Sequence, residues 1–217
     1  MGKKVNPIVF RTGYIFPTKS VWFANFRNYA KYVLEDNKIR RFLETKLKLA
    51  GITTIDIKRS INSVDIFMNV SRPGVVIGRG GSSLEILKKD IEKLLKINPK
   101  AKNSVKINLH PLEIKNPDNS AHIIADRLAN QLEHRYPFRR AANQAIEKVM
   151  AAGAKGVKLV FSGRIDGAEI ARTEKFKQGR IPTQTLRANI DYTEKKALTR
   201  SGYVGIKVWI YTGDIIR

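Results

Sequence analysis

Residues 75–83 read VVIGRGGSS, an apolar run that breaks into Gly78-Arg79-Gly80-Gly81 and continues as a helical pattern. At Gly78 and Gly81 the missing Cβ opens conformations closed to other residues and lets a polyanion lie against the main chain. Ser82 and Glu85 stand in the S-x-x-E spacing of a capping box, which predicts a helix starting just past the glycines. Leu84, Leu87, Ile91, Leu94 and Leu95 then recur at helical spacing to about Lys96, with Lys88, Lys89 and Lys93 beside them. A helix N-terminus with free N–H groups attracts anions, and Arg79 adds a permanent positive charge at the tip. A dinucleotide fingerprint, G-x-G-x-x-G, fails at Ser83, and a G-x-x-x-x-G-K-[ST] phosphate loop is absent from the chain. An ordinary helix-start turn stays open from these residues alone.

The flanking sequence narrows the choice. Ile39, Phe42, Leu43, Leu47 and Leu49 predict a helix ending near Gly51. Residues 52–59 read as a strand with Ile55 and Ile57 on one face. After a short turn at Asn62 and Ser63, Val64, Ile66, Met68 and Val70 alternate with polar or outward positions as a second strand. A short apolar piece follows Pro73, then the glycine loop, its helix, and a third strand carrying Val105, Ile107 and Leu109. The order is helix, strand, strand, short helix, loop, helix, strand. With G-x-x-G between its last two helices, it resembles the type II KH fold, an RNA-binding module whose loop clamps about four nucleotides of backbone. The resemblance implies RNA contact at Gly78, Arg79, Gly80 and Gly81, with Lys88 behind them; a KH fold kept only as a packing scaffold is the alternative.

Composition agrees with a polyanionic partner. The 217 residues hold 41 Lys and Arg against 19 Asp and Glu, a net charge of +22, so the surface must be strongly positive. A hydrophobic fraction of 42%, with basic residues spread along the whole length, points to a globular chain and not a basic disordered tail. The absence of cysteine removes disulfides, thiolate zinc sites and cysteine nucleophiles together. No apolar run approaches the ~20 residues that span a bilayer, and no signal-peptide pattern follows Met1, which predicts a soluble, unanchored chain with no membrane partner, cytoplasmic or within an organelle. His110, His122 and His134 have no metal-ligand spacing and no carboxylate pair stands out, so no metal, no cofactor and no catalytic residue is expected: the chain does not read as an enzyme.

Outside residues 38–113, the span of the KH-like unit, two further regions carry charge. Residues 1–37 read as a basic arm leading into a helix: Lys3, Lys4 and Arg11 alternate with Pro7, Gly13 and Pro17, and Trp22, Phe23, Phe26 and Tyr29 follow. Such an arm can press its charges onto phosphates and anchor its aromatics on a protein core. Residues 111–119 are rich in turn formers and lead to a second domain over 114–217. There Ala121, Ile124, Ala125, Leu128 and Leu132 mark one helix, and Pro137 opens another with Ala142, Ala145, Ile146 and Val149 inward. Strands are expected at 156–162, 186–192 and 203–211, giving an α/β two-layer domain of two helices on a mainly antiparallel sheet; the whole chain is therefore of the α+β class. Arg135, Arg139 and Arg140 cluster where the two helices meet. Residues 164–185, with Arg164, Arg172 and Arg180 and at most a short helix, form an interval too long for a compact domain unless it binds something, and RNA is the candidate.

Several stretches then line up in order: MGKKVNP from Met1, SVWFAN from Ser20, VVIGRGG from Val75, SGRIDGAEIARTE from Ser162, GRIPTQTLRANIDY from Gly179 and YVGIKVWIYTG from Tyr203. On these the chain is identified as resembling small ribosomal subunit protein three of the bacterial and organellar type. The resemblance implies a protein of the small-subunit head, bound to ribosomal RNA and lining the entrance for messenger RNA, where it assists unwinding. Its neighbours would be proteins ten and fourteen in the head and four and five at the messenger entrance. Arg139 and Arg140 match the family's FRR motif, which with Arg135 implies messenger contact. Lys3, Lys4, Arg11, Arg164, Arg172, Arg180 and Arg187 would face ribosomal RNA. After FRRA the family commonly continues with basic residues, yet Asn143 and Gln144 stand here; Asn189 replaces a usual Asp, and the polar C-terminal tail of many relatives is not seen. A free KH-domain RNA chaperone or regulator is the competing reading.

Overall fold

The computed structural model describes residues 4–95 and 105–215. In chain order the elements are α1 (Pro7–Arg11), β1 (Ser20–Val21), α2 (Phe26–Lys46), β2 (Ile52–Arg59), β3 (Ser63–Val70), α3 (Pro73–Ile77), α4 (Ser82–Leu94), β4 (Lys106–Glu113), α5 (Ala121–Glu133), α6 (Phe138–Ala151), β5 (Gly156–Gly163), β6 (Arg172–Gly179), β7 (Ala188–Thr199) and β8 (Gly202–Asp214). They divide into two compact units. One is Thr18–Lys115; the other joins the N-terminal segment up to Pro17 to the chain from Asn116 onward. The N-terminal stretch read as one arm is thus shared between units at Pro17.

In the first unit the period-two pattern of β3 buries Val64, Ile66, Met68 and Val70 while the intervening residues stay half-exposed. β2 contributes Ile55 and Ile57, β4 contributes Ile107 and Leu109, and α2 and α4 cover them with Ile39, Leu43, Leu87 and Ile91. Each such side chain contributes roughly 1.5–3 kcal/mol by leaving water. The sheet runs β1-β2-β3-β4. β2 and β3 are antiparallel, as a short turn allows, whereas β3 and β4 are parallel, so the chain must cross over, and α3, the glycine loop and α4 form that crossover. The three-stranded sheet expected from the sequence gains β1, which pairs parallel with β2.

Two local expectations are corrected here. Leu49 is 80% exposed, because α2 stops at Lys46 and a 3-10 turn over Lys48–Ala50 breaks the helical phase. Pro111 lies inside β4 and not in a linker; β4 is the edge strand, paired only with β3, where a missing N–H is tolerated. A buried carboxylate unseen in the sequence pins the start of this unit. Asp36 accepts hydrogen bonds from Trp22 Nε1 at 2.8 Å, Ser20 Oγ at 3.0 Å and Arg59 at 2.6 and 2.8 Å, joining α2 to β1 and the end of β2.

The second unit packs α5 and α6 on one face of an antiparallel sheet ordered β6-β5-β8-β7. The helix faces are those expected: Ile124, Leu128, Ala142, Ala145 and Val149 all lie in its core with Leu159, Phe161, Ile206 and Val208. The interval 164–185 is not irregular, however. It contains a fourth strand, β6, paired with β5 along its whole length. Its sequence, RTEKFKQG, is polar because β6 is an edge strand that sends Phe176 to the core and leaves most other residues in water. The chain up to Pro17 joins this unit through Arg11. That side chain is fully buried, and its guanidinium donates to the carbonyls of Ala188 at 2.7 Å, Thr185 at 2.8 Å, Pro7 and Thr183 at 2.9 Å, and Pro182 at 3.4 Å.

Candidate nucleic-acid interface

The glycine loop is built by backbone constraint. Gly78, Gly80 and Gly81 all have positive φ, at 72°, 61° and 83°. A Cβ at Gly78 would come within 2.8 Å of the Ser83 Cβ, so glycine is required there by space as well as by torsion. Around Gly80 and Gly81 the space is open. The expected capping box does not form. Gly81 is the N-cap of α4, no side chain caps it, and Ser82 Oγ donates back to the Arg79 carbonyl at 2.9 Å. Because Ser82 is already helical, it cannot reach forward to the N–H groups of the first turn. The Ser82 N–H donates to the Arg79 carbonyl through the preceding 3-10 turn, and no side chain caps the N–H groups that follow; Arg79 is exposed beside them and Lys88 half-exposed two turns further along.

The basic residues of the second unit fall into distinct groups. Arg139 and Arg140 are exposed on the first turn of α6. The Arg139 guanidinium lies 5.6 Å from the centre of the Phe138 ring and that of Arg172 lies 6.0 Å from the same ring, so a residue expected at messenger and one expected at ribosomal RNA share one neighbour. Arg135 lines a cavity with Arg164 and Arg200. Arg172 also approaches Glu174 at 3.6 Å, and Arg187 pairs with Asp214 at 3.1 Å. Arg180 is exposed where β6 ends. Lys3 lies outside the described residues.

Arg11 is a correction. Expected at RNA, it has no exposed surface and its donors are held by five carbonyl oxygens. Burial holds its guanidinium below the ordinary arginine value. Its role is to fasten the N-terminal segment to residues 182–188.

Sequence reasoning passed over another basic surface. Lys158 and Val160 of β5 point away from the helices, opposite to the core residues Val157, Leu159 and Phe161. There Lys158, Lys175 and Lys207 join Lys4 around a cavity of about 690 Å³. Lys158 Nζ sits 4.9 Å from the centre of the Trp209 ring, and Tyr192 packs on Trp209 at 4.9 Å. Burial, then Lys4, Lys175 and Lys177, lower the Lys158 pKa. The alternation of β5 carried the signal, but which sheet face would be covered by helices was not legible.

No described residues form a cluster of His, Cys, Asp or Glu able to hold a metal, and no described helix is long and apolar enough to cross a membrane. His110 stacks on Phe67 at 4.9 Å, and His122 lies 3.3 Å from Asp126 on α5.

A type II arrangement of helices and strands around an uncapped, glycine-lined helix start, on a chain of this charge, defines an RNA-binding protein of the KH class. Residues 38–119 match the KH domain family, and residues 128–210 match the family described as "Ribosomal protein S3, C-terminal domain". The small ribosomal subunit protein uS3 of Clostridium acetobutylicum is 46% identical over all of this chain and 94% of its own length, and that of Caldicellulosiruptor bescii is 48% identical over the same shares. The protein uS3c of Guillardia theta is 44% identical over 99% of this chain and 96% of its own. The chain belongs to the small ribosomal subunit protein uS3 family. It is therefore an RNA-binding structural protein of the small ribosomal subunit, and the family is not an enzymatic one.

Proposed function

We propose that the chain holds ribosomal RNA of the small-subunit head through the 78–81 loop and lines the messenger entrance with Arg135, Arg139 and Arg140. The observation that carries the reading is the uncapped start of α4. Three positive-φ glycines expose main chain there, and Arg79 stands at the tip with no carboxylate partner among the described residues. A strand of RNA laid across this start would place phosphate oxygens against first-turn N–H groups that no side chain caps and against the helix dipole. Lys4, Arg164, Arg172, Arg180 and Arg187 extend the ribosomal RNA surface in the second unit; Arg11 does not.

At the messenger entrance the exposed arginines act passively. Phosphates held on Arg139 and Arg140 keep a strand from re-pairing while the ribosome moves it, so no nucleotide hydrolysis by this chain is needed. Asn143 and Gln144, both exposed on the next turn, leave this face with less charge than the family pattern. Proteins four and five at the entrance and ten and fourteen in the head are the neighbours of this reading. An exposed apolar stripe on α2, Phe26 at 98%, Tyr29 and Val33, suits protein contact better than RNA.

Two experiments test the reading. Replacing Arg79 and Gly80 together by Asp should weaken binding of small-subunit RNA and reduce the salt slope of log K by about 0.7–0.9 for each phosphate that is no longer neutralised; equal affinity at every salt concentration would remove the loop from the interface. Arg139→Ala with Arg140→Ala should slow translation through a messenger hairpin, leaving subunit assembly and unstructured messages unaffected; equal rates on both messages would end the entrance role.

A further inference from the structure

Among the described residues only two that are not glycine have positive φ, Arg135 at 60° and Asp166 at 53°, and both line the same cavity of about 360 Å³ in the second unit. Each is unusual by itself. Arg135 follows α5 at the position where a helix ends in left-handed backbone; Tyr136 N–H donates to the Gln131 carbonyl at 2.9 Å and closes that turn. Glycine is the ordinary residue there, so an arginine is held at an energetic cost. Asp166 occupies the middle of the 3-10 turn Ile165–Gly167, which also lines the cavity. Two strained backbone positions lining one concavity point to a functional site.

The walls have the chemistry of one ligand class. Leu132, Ile165 and Val204 give an apolar floor, and Tyr136 packs between them and the surface. Arg135, Arg164 and Arg200 stand at the rim. Arg164 is steered there by its own bonds, from Nε to the Ala168 carbonyl at 2.9 Å and from its terminal nitrogen to the Ser201 carbonyl at 3.5 Å. Arg135 and Arg200 have no carboxylate within ion-pair distance among the described residues, and the one carboxylate lining the cavity is Asp166. Three guanidinium groups above an apolar, aromatic floor match a phosphate attached to a flat ring. The size is at the small end of ligand sites, right for one nucleotide.

We propose that this cavity takes a single unstacked nucleotide of an RNA strand, its base against Tyr136 and the apolar floor and its phosphate on the arginine rim. Unpaired bases turned out of a strand and stacked on aromatic or guanidinium planes are how proteins grip single-stranded RNA. The inference rests on the RNA-binding reading above but not on the glycine loop. It also makes Arg135 and Arg164, which the sequence distributes between messenger and ribosomal RNA, parts of one site. Asp166 can accept N–H donors of a base edge, which favours a base that offers them.

The test is photocrosslinking of the full chain to a short single-stranded RNA carrying thio-substituted uridine, with the crosslinked peptides mapped. Crosslinks are expected at residues 132–136 or 199–201. They should fall by about fivefold or more, the lower end of what one stacked base contributes, in Arg200→Glu and in Arg135→Gly. Lys148→Glu, a matched charge reversal on α6, should leave them in place. Arg135→Gly should not lower the thermal midpoint, since it relieves the left-handed backbone; weaker crosslinking with unchanged or higher stability separates a ligand role from a packing role. Crosslinks at the glycine loop with none at the cavity segments, or cavity crosslinks indifferent to Arg135 and Arg200, would overturn the proposal and leave the RNA-binding reading standing. A chain that binds no RNA at all would overturn both.

Discussion

Arg11 and Asp126 show how a single charged residue can be fold and not function. In the sequence Arg11 is one more cation in a basic segment; in the structure it is fully buried and donates to five carbonyls of two chain segments. Arg11→Met would leave those carbonyls unsatisfied, at a cost of about 3–5 kcal/mol. Calorimetry should register that as a fall of more than about 10 °C in the midpoint of the second unit, with the loop's RNA affinity unchanged. Asp126 carries a pH dependence. Burial pushes its carboxyl up, but His122, whose Nδ1 lies 3.3 Å away, and the Lys195 ammonium, whose Nζ is at 2.9 Å, outweigh it and hold the pKa below the usual carboxylate value. The ionised form therefore favours the folded state. Its contribution is present above about pH 4 and disappears as the pH falls through the lowered pKa. Asp126→Asn should flatten the acid limb of a stability-against-pH curve; an unchanged limb would mean the ion pairs contribute nothing.

At the scale of elements, the glycine loop ties sequence to site most closely. Gly78 faces Ser83, and the first turn of α4 depends on that approach. Gly78→Ala should lower both thermal stability and RNA affinity, whereas Gly80→Ala, with open space around it, should cost only the torsional strain of about 1 kcal/mol. Denaturant titration of the two variants compares them directly. The alternation of β3 and the helical faces of α4, α5 and α6 were all legible, since each buries one face against one neighbour. β6 and the tail of β4 were not. Both are edge strands, where water satisfies one side of the ladder, so polar residues and a proline stand where a strand pattern would demand apolar ones. The capping box failed for a related local reason: glycine at the N-cap moved Ser82 into the helix.

The whole molecule is two units, one of them discontinuous in sequence. Thr18–Lys115 has a core of its own and should fold as an isolated fragment. The chain from Asn116 onward lacks the Arg11 anchor when cut away. Its thermal midpoint should be low alone and rise with added peptide spanning the first 17 residues, in proportion to the logarithm of peptide concentration. No response to the peptide would mean that the anchor contributes little. A net charge of +22 makes association with RNA fast and salt-sensitive for both units, and it required no structure to see.

The sequence by itself determined the RNA-binding character, the order of elements in the KH-like unit, the loop that breaks it and the two helices of the second domain. These are properties of neighbours along the chain: periodicity, glycine torsion and summed charge. Only the tertiary structure decided which cations remain in water. Arg11 and Arg135 look alike in sequence, yet one is buried and donates to carbonyls of residues 182–188, and the other stands at a cavity rim with Arg164 and Arg200. The lysine face built from Lys4, Lys158, Lys175 and Lys207 was equally hidden, for it is assembled across strands whose pairing no local pattern records. Burial and convergence depend on contacts between residues far apart in the chain, and those contacts exist only once the sheet has formed.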